Sequence, residues 1–127
     1  ESPEFVAAIR DAVPFVVQAF TATDDRLSNL DDYPIDALLL DSPTPGSGST
    51  FDWSTIDGLS ARRRLVLAGG LTPDNVADAV VRVRPWGVDA VSGVEAAPGR
   101  KDPEAVSRFV TAARAALAEF SLDPGPA

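Results

Sequence analysis

Apolar and polar positions along the chain alternate between two repeating patterns. Four short runs stand out as predominantly apolar or β-branched: residues 15–20, 37–40, 65–68 and 88–91. Each has the length of a strand covered on both faces, as strands of parallel sheets are. Helical spacing lies between and around them. Ser2 precedes Pro3, Phe5, Val6 and Ile9, which places an N-cap and a first-turn proline at the head of an amphipathic helix. Thr72-Pro73-Asp74-Asn75 repeats the device before Val76, Val80 and Val83, and Asp102-Pro103-Glu104 repeats it again. The last of these opens the longest helix, with Val106, Phe109, Val110, Ala113, Leu117 and Phe120 on one face.

The predicted order is therefore one helix followed by strand–helix four times, the signature of parallel βαβ crossovers. A doubly wound sheet and a (β/α)8 barrel both satisfy that order. Four units are too few to close a barrel, which needs roughly 200 residues or more. The 127 residues read as a single domain, half of such a barrel, with 121–127 as a flexible tail.

Composition narrows the chemistry more than the fold. The chain has no cysteine and no histidine, which removes disulfides, thiolate nucleophiles and the usual zinc sites. Acid–base work at neutral pH falls to carboxylates, Lys101 or Tyr33. A net charge of −8 argues against nucleic-acid backbones as partners. A single phosphate held by backbone N–H groups remains compatible with it. No apolar run approaches the roughly 20 residues of a membrane span, so no membrane partner is expected. The first residues carry no basic or apolar leader, which favours the cytoplasm, and no methionine, which points to an excised or engineered piece. Arginines in place of lysines and the many aspartates fit either a salt-adapted surface or a GC-rich genome.

Three features fall at the C-terminal ends of predicted strands, where α/β folds place their sites. Asp41 follows residues 37–40, where partial desolvation would favour the neutral carboxyl of a general acid. It reads equally as a cap of the turn that begins Ser42-Pro43. The small-residue loop 45–50 then enters Phe51-Asp52-Trp53, whose rings would anchor a linker or lid. Gly69 and Gly70 lie between a strand and a helix start and would present N–H groups to a phosphate. The plainer reading is a tight turn that needs positive φ. Ser92 and Gly93 offer a hydroxyl and further amides at the same rim, and adjacent strands would set the two turns side by side.

Taken in order, five blocks resemble the phosphoribosylanthranilate isomerase family. They are Ala37-Leu-Leu-Leu-Asp41-Ser42, the loop into Phe51-Asp52-Trp53, Leu67-Ala-Gly-Gly-Leu-Thr-Pro-Asp-Asn75, Gly87-Val-Asp-Ala-Val-Ser-Gly-Val-Glu95, and Pro98-Gly-Arg-Lys-Asp102. The resemblance implies a (β/α)8 barrel, with the four runs as strands five to eight. It implies an Amadori rearrangement of N-(5-phosphoribosyl)anthranilate in tryptophan biosynthesis, with no metal and no organic cofactor. Asp41 matches the family's general acid. Gly69, Gly70, Ser92 and Gly93 match its phosphate grip, and Asp89 matches an aspartate near the sugar hydroxyls or else an internal barrel residue. Val91 stands where the family usually has a further serine, so one hydroxyl contact to phosphate is in doubt. The family's general base is a cysteine on strand one and its carboxylate-binding arginine is on strand two, and neither has a counterpart here. The expected partners are a phosphorylated small molecule and either a missing N-terminal half-barrel or a second copy. A non-catalytic phosphate-binding half-barrel is the alternative, and a neighbouring phosphate-anchored barrel activity is disfavoured by the Phe51-Asp52-Trp53 block.

Overall fold

The computed structural model describes residues 1–42 and 53–121. Helix α1 (Pro3–Arg10) leads into strand β1 (Val17–Thr21), a kinked 3-10 segment (Asp25–Asp32) and strand β2 (Ala37–Asp41). A 3-10 turn (Trp53–Ile56) and short helix α2 (Leu59–Arg62) precede β3 (Arg64–Ala68), helix α3 (Val76–Val83) and β4 (Gly87–Val88). A 3-10 turn (Ser92–Val94), a hairpin of β5 (Glu95–Ala97) and β6 (Arg100–Lys101), and helix α4 (Pro103–Ser121) complete the order. Strands β1 to β4 pair in parallel and in chain order. Sequential order leaves no reversal point, so the sheet is an arc of a singly wound β/α barrel and not a doubly wound sheet.

The register explains which residues become core. Phe20, Leu38, Leu40, Leu65 and Leu67 point to one side and are buried with Val76, Val80, Phe109 and Ala113 from the helices. Each fully covered Leu contributes roughly 2 kcal/mol of transfer free energy. Their neighbours Val17 and Ala19 on β1 are exposed, and Leu39 and Val66 are half-buried. The second face is thus only partly covered, with Ala37 and Ala68 buried there and Val17 and Ala19 exposed, which differs from the expectation of burial on both. That face is the concave one, where a closed barrel would place its interior.

Several boundaries and faces shift. Phe15 lies before β1 and is exposed, β4 ends at Val88, and Val91 is exposed beyond it. On α4, Val106 and Val110 are among the exposed apolar residues, while Ala116 joins Phe109 and Ala113 in the core. The buried stripe is narrower than the sequence pattern because α4 packs chiefly on α3, which covers only part of its apolar face. The helices predicted after β1 and β2 are a 3-10 segment and a single α-turn. Ser121 is the last residue of α4 and so does not belong to a tail, and 122–127 lie outside the described residues, as does the loop 45–50 with Phe51 and Asp52. Among the described residues no helix is long and apolar enough to cross a membrane.

Helix ends follow the caps expected. Ser2 Oγ accepts from Phe5 N–H at 3.3 Å and Asp102 Oδ1 accepts from Glu104 N–H at 3.0 Å. Before α3 the turn starts at Thr72, whose Oγ1 accepts from Asp74 N–H, but the regular helix begins only at Val76. The N-terminal side is tied down by carboxylates. Asp36 Oδ2 accepts from Val16 N–H at 2.7 Å and from Arg10 at 2.8 Å, which holds α1 to the start of β2. Asp24 forms a two-pronged pair with the Arg26 guanidinium, which lies over the Phe20 ring.

Two outcomes are expected. Leu67→Ala, at a site with no exposed surface, destabilises the chain by about 2–5 kcal/mol in urea unfolding. The Arg26 side chain holds the Asp24 carboxyl down to about 2. A depressed carboxylate stabilises the fold above its unfolded value near 3.9, and that contribution disappears as pH falls towards about 2. Unfolding midpoints measured between those limits should therefore decline less steeply for Asp24→Asn than for the parent chain.

Candidate active site

The C-terminal ends of β1, β2 and β3 finish level. Thr21 pairs with Asp41 and Asp41 with Ala68, so these residues form one row across the sheet rim. Asp89 continues it, because its N–H donates to the Leu67 carbonyl at 2.9 Å. All six residues singled out in the sequence line one cavity of about 310 Å³ at this rim: Asp41, Gly69, Gly70, Asp89, Ser92 and Gly93. Ala19 and Leu39 form its floor on the concave face.

Backbone proximity makes the cavity possible. Gly69 has φ +103° and passes so close to β2 that a Cβ would overlap the Ser42 carbonyl oxygen and lie 2.7 Å from Asp41 Oδ1. Gly93 packs on the Leu71 carbonyl in the same manner, and a Cβ there would overlap that oxygen. The first glycine turn thus touches both the strand that carries Asp41 and the second turn. No side chain intervenes at either contact.

Ser42 and Asn75, which the sequence marks only as turn residues, stiffen this arrangement. Ser42 is buried, and both its N–H and its hydroxyl donate to the Ala68 carbonyl, at 3.0 and 3.1 Å. That pair of hydrogen bonds to β3 sets the direction in which Asp41 leaves β2. Asn75 Oδ1 accepts from Thr72 N–H at 2.8 Å while Nδ2 donates to the Gly70 carbonyl at 3.2 Å, which closes the turn after the glycines. An Asn three residues beyond Thr72 in a Thr-Pro turn was the available signal for this role.

The electrostatics are unusual for an anion site. Asp41 and Asp89 face the cavity and no arginine or lysine lines it. Among the described residues the N–H groups of Gly70, Ser92 and Gly93 donate to no protein acceptor, and the Ser92 hydroxyl makes no hydrogen bond. These are the donors available to a bound oxyanion. Asp41 itself is exposed, and the partial desolvation expected for it is not found. The reason is geometric: the concave face has no opposite wall to exclude water. Among the described residues no group of three or more carboxylates, cysteines or histidines is placed to hold a metal.

The chain resembles known proteins over nearly its full length. Residues 1–112 match the model of the family described as N-(5'phosphoribosyl)anthranilate (PRA) isomerase. The N-(5'-phosphoribosyl)anthranilate isomerase of Pelobacter propionicus is 41% identical over 124 residues, covering 94% of this chain and 58% of that protein. The crystal structure of phosphoribosyl anthranilate isomerase from Thermotoga maritima superimposes with a TM-score of 0.74 at 40% identity, over 91% of this chain and 58% of that one. A further isomerase structure, in complex with reduced 1-(o-carboxyphenylamino)-1-deoxyribulose 5-phosphate, gives 0.72 at 36% identity, over 91% and 56%. The chain therefore spans a little over half the length of the curated relatives it matches. The arc of four parallel strands is a partial barrel of the (β/α)8 type.

The steric reading gives a direct comparison between two glycines. Gly69→Ala must overcome both a positive φ and the Ser42 carbonyl, whereas Gly58→Ala at φ +83° meets nothing within 4 Å. The expected loss in urea unfolding is roughly 1 kcal/mol at Gly58 and at least about 2 kcal/mol more at Gly69.

Proposed function

The chain belongs to the N-(5'-phosphoribosyl)anthranilate isomerase family, and from that premise we propose that it supplies the acid and the phosphate grip of an aminoaldose–aminoketose isomerisation in tryptophan biosynthesis. The observation that carries this reading is the convergence of Asp41 and both glycine turns on one rim cavity. In this reading the phosphate is held at the Gly69–Gly70 and Ser92–Gly93 turns, by the N–H groups of Gly70, Ser92 and Gly93 and by the Ser92 hydroxyl. Such donors need no positive side chain, which suits a chain of net charge −8.

With the phosphate fixed, the ribose lies across the row that contains Asp41 and Asp89. Asp41 gives a proton to the ring oxygen as the C1–O bond breaks, and the anilino nitrogen lone pair moves in to form an iminium. Loss of the C2 proton returns electrons towards the nitrogen and yields an enolamine, which tautomerises to the ketone. Asp89 accepts hydrogen bonds from the sugar hydroxyls. No metal and no organic cofactor enters any of these steps.

The C2 proton requires a base, and the cysteine that the resemblance implies for that role has no counterpart in a chain without cysteine. The concave face also lacks the wall that would exclude water from the iminium. Residues 1–127 therefore act as the C-terminal half of the barrel, strands five to eight, and do not isomerise alone. A second reading, a non-catalytic half-barrel that self-associates, draws support from the apolar residues uncovered beside β1: Phe5, Ile9, Val13, Phe15 and Val17.

The experiment is an anthranilate-fluorescence assay of the 127-residue chain, alone and mixed with an N-terminal half-barrel segment from a family member. The chain alone should give no turnover. The mixture should turn over, and Asp41→Asn should lower that rate at least about a hundred-fold. Turnover by the chain alone would overturn the half-barrel reading, and an active Asp41→Asn mixture would remove Asp41 from its role. Sedimentation of the chain as a dimer that binds phosphate esters yet never complements would favour the second reading.

A further inference from the structure

A phosphate dianion in the rim cavity would meet two carboxylates and no lining cation, so the strength of its backbone donors decides whether it binds. One cation bonds the peptide group that carries one of those donors, the Ser92 N–H. Lys101, the only lysine of the chain, donates from Nζ to the Val91 carbonyl oxygen at 3.0 Å. That carbonyl also takes a longer bond, 3.4 Å, from Val94 N–H. The ammonium lies 3.9 Å from Glu95 Oε2, and the same oxygen accepts from Gly99 N–H at 2.6 Å. Glu95 is 11% exposed, and Gly99 turns the hairpin with φ +77°. The β5–β6 hairpin thus places Lys101 through Glu95, and Lys101 reaches back to the residue just before the second glycine turn.

The Val91 carbonyl and the Ser92 N–H belong to one peptide group. A cation bonded to the oxygen withdraws electron density from the nitrogen and makes the N–H a stronger donor. It also fixes the plane of the peptide, and so the direction in which that N–H points. Lys101 adds positive potential without exposing an ammonium to the cavity, where Asp41 and Asp89 would compete for it.

We propose that Lys101, held by Glu95, is a positioning residue that orients and polarises the Val91–Ser92 peptide for phosphate. The inference rests on the phosphate site proposed above and assigns that site a cation which does not touch the ligand. Glu95 is part of the device because a lysine free to leave the Val91 carbonyl would polarise nothing.

The test titrates inorganic phosphate into the 127-residue chain and follows the amide resonances of Gly69, Gly70, Ser92 and Gly93. In the parent chain these amides should shift with phosphate; if they ignore it, the site reading fails and the Lys101 role falls with it. Where the parent responds, Lys101→Met should weaken binding about ten-fold, the scale of one charge-assisted hydrogen bond. It should also move the Ser92 amide proton upfield before any phosphate is added. Lys101→Arg, which keeps a cationic donor, should stay within about three-fold of the parent. Arg100→Met removes a neighbouring charge on the same hairpin and should change affinity less than about two-fold. A Lys101→Met affinity within two-fold of the parent overturns the proposal while leaving the phosphate site standing. An equal loss in Arg100→Met also overturns it, because general charge would then suffice. If Lys101→Met fails to fold, Lys101→Gln is judged by the same limits.

Discussion

The level parallel register of the first three strands is the constraint from which the rest of the molecule follows. Val17, Ala37 and Arg64 start one row, and Thr21, Asp41 and Ala68 end another. Because the side-chain period of a strand is two, that register sends Phe20, Leu38, Leu40, Leu65 and Leu67 to the helices together and brings Asp41 to the rim on the concave side. A slip of one residue would bury the carboxylate and expose the leucines. The hydrophobic layer and the candidate chemistry are therefore fixed by the same pairing. Stability on one face supplies geometry on the other.

At the rim, distance is set by what is missing from Gly69 and Gly93. Backbone packs on backbone from Ser42 to Gly69 and again from Leu71 to Gly93, so the ends of β2, β3 and β4 close into one cavity. Ser42 and Asn75 hold the intervening turns with hydrogen bonds at or below 3.2 Å. An acidic chain can offer an oxyanion site in this way because peptide N–H donors carry their partial charge whatever the side chains are. The Lys101 contact proposed above would refine one of those donors from behind.

The concave face shows what a partial barrel lacks. Val17 and Ala19 are uncovered although in sequence they sit in a run that looks buried on both sides, and Asp41, directly after such a run, is open to water. Gln18 Oε1 is buried on edge strand β1 without a hydrogen-bond partner among the described residues. Each of these features lies on the concave wall or the β1 edge, where a closed sheet would continue.

Local chemistry made much of this legible from residues alone. The caps at Ser2 and Asp102 depend on side chains two or three positions away from their partners, and they hold. The glycine turns, with Asp41, Ser92 and Gly93, could be picked out because strand ends and helix starts are marked by composition within a few residues, whereas Asp89 was singled out only through the family resemblance. What sequence could not decide was anything set by neighbours distant along the chain. The stripe on α4 moved towards Ala116 because the covered part of that helix is set by its packing on α3. The strands lost part of the cover of one face because coverage depends on elements outside this arc. Ser42 and Asn75 look like ordinary turn residues until β3 and the glycine loop come within hydrogen-bond reach. The sequence by itself determined which residues make strands, turns and caps, since those preferences act over a few bonds. Only the tertiary structure decided which of them meet, because parallel pairing joins segments some 20 or more residues apart through contacts that no local pattern encodes.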